Sequence, residues 1–151
     1  SFPHTYFMKT SLATITHTPH SLLNSMGEEI ASIIPPTGVG VSFYIPVTLA
    51  ANRRVLPEFT RERFSLTNLP PDQARFHHLV NRQEFINMID NQQFTWLILT
   101  DKTPRIFGPT ISQQQLVLNL IDQRYQLVKS FTQINQVEDP KTAKLSVYTR
   151  R

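Results

Sequence analysis

Two residue types in this chain carry the means to do chemistry. Histidine titrates near neutral pH and binds metals; arginine presents a planar fork of donors that grips phosphate. His17 and His20 flank Thr18-Pro19 at the mouth of a predicted helix, and His20 is the candidate catalytic acid or base. The competing reading is an ordinary solvated helix start. His77 and His78 are neighbours, so on a helix they diverge by about 100° and do not easily share one metal ion. No third ligand stands at zinc-like spacing, and the absence of cysteine excludes disulfides and thiolate sites. No serine lies in a Gly-x-Ser-x-Gly elbow. Gly38 and Gly40 precede a strand instead of joining a strand to a helix, which is not the arrangement of a Rossmann or phosphate loop. Their expected task is to turn the chain out of Pro35-Pro36-Thr37. No metal and no cofactor are expected.

Arginines are better placed for a role. They outnumber lysines ten to five, which suits bidentate contacts with phosphate or base edges. Arg53, Arg54, Arg61, Arg63, Arg75 and Arg82 fall close together in sequence, and Lys141, Lys144, Arg150 and Arg151 form a second basic group. If the two groups share a face, they make one groove able to follow a phosphate backbone. Arg53, Arg54, Arg61, Arg63, Arg150 and Arg151 are therefore the candidate nucleic-acid contacts. The alternative is a scattered, partly salt-bridged surface. Tyr44, Phe64 and Tyr148 are available for base stacking, with Phe64 better suited to a core.

Elements must position these residues. Tyr6 to Ile15 reads as a first strand. Behind Thr18-Pro19, Leu22, Met26, Ile30 and Ile33-Ile34 recur at helical spacing until Pro35-Pro36 stops them. Val39, Val41, Phe43, Ile45, Val47 and Leu49 alternate with period two, predicting a half-buried strand that is an edge or bulged at Pro46. Arg61–Leu69 predicts a shorter strand. Pro70-Pro71-Asp72 opens a second helix running to Ile89, with a break around Asn81. Phe94–Thr100 reads as a central strand, Asp101–Pro104 as a turn and Arg105–Phe107 as a short strand. A third helix is expected from Ser112 to Gln133 and a last strand from Lys144 to Thr149. The order predicts an α+β chain, a ferredoxin-like β-α-β/β-α-β sandwich with a C-terminal helix and strand.

The segments Tyr6-Phe7-Met8-Lys9, Gly38-Val39-Gly40-Val41-Ser42-Phe43 and Arg61-Glu62-Arg63-Phe64-Ser65-Leu66, with the helix and strand that follow, resemble the CRISPR RNA-processing endoribonucleases of subtype I-F. That family belongs to the RAMP superfamily of ferredoxin-like proteins. The likeness spans about two thirds of the chain and implies RNA as partner. The family's catalytic histidine within the first helix has no counterpart, because the matching stretch reads Ser25-Met26-Gly27-Glu28-Glu29. His20 is the nearest substitute. The family's arginine-rich helix is also missing: the third helix here carries Arg124 alone.

The size of 151 residues, 40% hydrophobic and 17% charged, fits one globular domain spanning 1–151. The net charge of +4 makes nucleic acid a reasonable partner class. No apolar run reaches membrane-spanning length, and Ser1-Phe2-Pro3-His4 lacks the features of a signal peptide; the compartment stays open, with the cytoplasm favoured. The leading expectation is an RNA-interacting ferredoxin-like domain, a CRISPR RNA-processing nuclease or an inactive relative. The alternative is a non-enzymatic regulatory, sensory or dimerising protein-interaction module, motivated by the broad apolar face of the third helix.

Overall fold

In a computed structural model, residues 19–62, 65–132 and 143–151 are described. The strand expected over Tyr6–Ile15 lies outside them. The first described element is α1 (Pro19–Ile33), which begins at the proline that favours a first helical turn. Next comes β1 (Gly40–Ser42), followed by α2 (Ile45–Ala50).

The alternation from Val39 to Leu49 is thus half strand and half helix. In a strand Val47 and Leu49 would share a face; here Val47 is fully buried and Leu49 is 72% exposed, as helical rotation requires. Pro46 sits in the first turn of α2, where its missing N–H costs nothing. The turn is held by Ser42 Oγ, which accepts from Tyr44 N–H (3.1 Å), and by the Glu62 carboxylate, which accepts from Ile45 N–H (2.8 Å). Neither partner is visible in a local hydrophobic pattern.

The Arg61–Leu69 strand contracts to β2 (Leu66–Thr67), paired in parallel with β3 (Val80–Asn81). The long second helix becomes α3 (Pro71–Phe76), a turn through His78 at φ +58°, and α4 (Arg82–Asp90). Asn81 makes the division, because its side chain accepts from Gln83 and Glu84 N–H and caps α4. Trp96–Thr100 forms β4, and Thr103–Ile106 is a 3₁₀ turn instead of the short strand expected at Arg105–Phe107.

The third helix, α5 (Ile111–Arg124), starts at a Thr110–Gln113 capping box and ends nine residues before the expected Gln133. Tyr125 is already extended and opens β5 (Tyr125–Thr132). Burial of its ring, with the hydroxyl donating to Phe94 O at 2.7 Å, outweighs continuing the helix. The final strand β6 spans Lys144–Arg150.

The main sheet runs β1-β4-β6-β5, with β1 and β4 parallel and β6 antiparallel to both neighbours. β4, α5 and β5 form a split β-α-β unit with β6 in the gap. One face of the sheet presents Val41, Leu97, Leu99 and Tyr148 to a core with Phe85, Ile89, Val117 and Ile121 from α4 and α5. The other presents Trp96, Ile98, Leu145 and Val147 to Met26, Ile30 and Val47 from α1 and α2. β4 is therefore apolar on both faces, which is why Phe94–Leu99 reads as one continuous run. The class is α+β with a mixed four-stranded sheet. No helix among the described residues is long and apolar enough to cross a membrane.

Candidate functional site

The nominated arginines divide between the two ends of the sheet. At the end where β1 and β4 begin, Gly38 turns the chain with φ +88°, and Gly40 lies against the Trp96 ring, where a Cβ would come within 2.0 Å. Gly40 N–H donates to Arg54 O at 3.0 Å, Leu56 N–H donates to Gly40 O at 2.9 Å, and Val55 bridges Gly40 in parallel. Gly40 pairs with Trp96, and Trp96 with Thr149. Arg150 N–H donates to Thr95 O (3.0 Å), and Arg151 N–H to Arg124 O (3.1 Å).

Arg54 and Arg150 consequently stand at one end of the sheet. Three strand spacings separate their backbones, about 15 Å at about 4.8 Å per step. Arg151 follows immediately. All three are exposed, and none forms an ion pair among the described residues. The Arg151 Nε donates to the Asp122 carbonyl at 3.0 Å, which fixes the stem without neutralising the charge.

Arg53 has a different task. Its Nε donates to Ile34 O (2.9 Å), and its two terminal nitrogens donate to Ala31 O (2.8 Å) and Ala51 O (3.1 Å). These include carbonyls left open at the end of α1, so one guanidinium closes the helix and ties it to α2. Its donors are taken up by carbonyls, and sequence proximity to Arg54 concealed this.

Arg61 is exposed but lies at the opposite end, one residue before Glu62, which caps α2 just after β1 finishes. Arg63 and Phe64 lie outside the described residues. Arg75 is paired with Asp72 and Glu84. Arg82 donates to Ile106 O at 2.6 Å and to Asn68 Oδ1 at 2.6 Å. Arg124 binds the Asp90 carboxylate at 2.7 Å and 3.0 Å. The row of basic residues in sequence therefore contains several that are internally engaged and few that are free.

His20 falls in the first turn of α1, and its side chain lies outside what is described. His77 and His78 sit in the turn after α3, both exposed, so they are not helical neighbours. The candidate stacking rings Tyr44 and Tyr148 are 5% and 9% exposed, which removes both from a base-stacking surface. Burial raises the Tyr148 hydroxyl above its ordinary value, reinforced by the Asp122 charge. Burial pushes Tyr125 up to about 12, against the nearby Arg150 charge.

Apolar groups are exposed elsewhere: Ile111 (77%) and Leu116 (68%) on α5, Leu127 on β5, and Phe76 beside His77. β5 is an outer strand of the main sheet, with Val128 bulged between Leu127 and Lys129. Compared with protein-family models, curated proteins and solved structures, the chain matches none.

Proposed function

We propose that this domain is a binding module for a nucleic-acid phosphate backbone, RNA foremost, held at the sheet end formed by Arg54, Arg150 and Arg151. The observation that carries the reading is the placement of these three arginines, from two distant parts of the sequence, at one end of the sheet, all exposed and none in an ion pair among the described residues. Arginines on rigid strand ends fix a backbone's register with little loss of freedom. The likeness to the subtype I-F CRISPR RNA-processing endoribonucleases is the reason RNA precedes DNA. A ferredoxin-like arrangement belongs to the same proposal, supported by the split β-α-β unit and opposed by the short β1. His20 is its one candidate acid or base, and cleavage is no part of the binding claim.

The test is titration of a structured RNA hairpin and a sequence-matched DNA hairpin at low and moderate salt. The proposal expects RNA binding that weakens steeply as salt rises. Absence of binding even at low salt overturns it.

A second reading, a protein-interaction module, is favoured by one specific observation: Leu116 on α5 and Leu127 on the outer strand β5 are large apolar side chains left open to solvent. Light scattering distinguishes the two. A stable dimer indifferent to RNA supports the second reading, and a monomer that binds RNA supports the first.

A further inference from the structure

We draw no further inference here: the strongest candidate, the shallow apolar groove between α1 and α2 walled by Leu23, Ile45, Pro46 and Leu49, has its lining carboxylate, Glu62, already accepting the Ile45 amide, and nothing in the structure shows what covers it.

Discussion

The two ends of the main sheet differ in how many of their charged side chains are tied down. Where β1 and β4 finish, side chains close the structure on itself. Ser42 accepts from Thr48 Oγ1 at 2.7 Å, Thr103 Oγ1 accepts from Thr100 N–H at 2.8 Å, and Asp101 Oδ1 accepts from Ala143 and Lys144 N–H. Arg82 and Glu62 are spent there as well. Where the same strands begin, Arg53 closes carbonyls too, but Arg54, Arg150 and Arg151 stand exposed with no ion pair among the described residues, Arg151 being anchored through its Nε to the Asp122 carbonyl. Open sheets with parallel strands usually bind ligands at the carboxyl ends of those strands. In this domain that end is closed by side-chain bonds, although Arg61 stands exposed there, and the arginine group Arg54, Arg150 and Arg151 sits at the other. Identical residue types therefore carry different expectations according to where the backbone already finds its partners.

Substitutions can break or sharpen this contrast. The largest effect is expected from Gly40→Ala, which drives a Cβ into the Trp96 ring at the strand pair supporting the basic end. Forcing a methyl into a packed core costs about 3 kcal/mol, readable as a lower urea midpoint with an unchanged slope. Arg53→Ala comes next. It leaves the Ala31 and Ile34 carbonyls open and should destabilise by about 2 kcal/mol. Arg54→Ala, its neighbour in sequence, should change stability by less than about 0.5 kcal/mol. Equal losses at the two positions would erase the distinction between structural and free arginines.

Smaller effects come from titration. Tyr125→Phe removes the bond to Phe94 O and should cost about 1 kcal/mol. The folded value of this tyrosine lies above its unfolded value, so its contribution is whole below about pH 10. It is lost as pH rises through about 12, where ionisation breaks the bond. Tyr125→Phe should therefore flatten the alkaline limb of a stability profile between about pH 10 and 12, and an ultraviolet phenolate titration of the wild type follows the group. Asp101 runs the other way. Burial alone would raise its carboxyl, but the amide bonds from Lys144 and Ala143 outweigh it and hold the group below its ordinary value. That stabilisation is present above the unfolded value near about pH 4 and fades as pH falls through the folded one. Asp101→Asn should flatten the acid limb of a stability profile slightly, and an unchanged limb would show that these bonds carry no net weight.

Much of the fold is legible in the sequence where one physical signal dominates. Leu22, Met26 and Ile30 mark α1 because their spacing alone places them on one buried side. Phe94–Leu99 marks β4 because both its faces are covered. The signal fails where a distant group decides. Period two continues through Val47 and Leu49, yet Ser42 and Glu62 supply the partners that make 45–50 helical. Tyr125 would extend α5 on local grounds, but its hydroxyl finds Phe94 thirty-one positions away. The candidate site follows the same rule. Arg54 and Arg150 were identifiable as basic residues, but their meeting depends on the register Gly40–Trp96–Thr149. Arg53 was indistinguishable from Arg54 until its carbonyl partners appeared, and Tyr44 and Tyr148 were lost to stacking through burial.

The most direct measurement is the salt dependence of RNA-hairpin binding for the wild type, Arg54→Ala/Arg150→Ala and Arg61→Ala. Each phosphate contact removed should lower the log–log salt slope by about 1. The basic-end account predicts a fall of about 2 for the double variant and none for Arg61→Ala. A slope unchanged in the double variant, or lowered by Arg61→Ala instead, contradicts it.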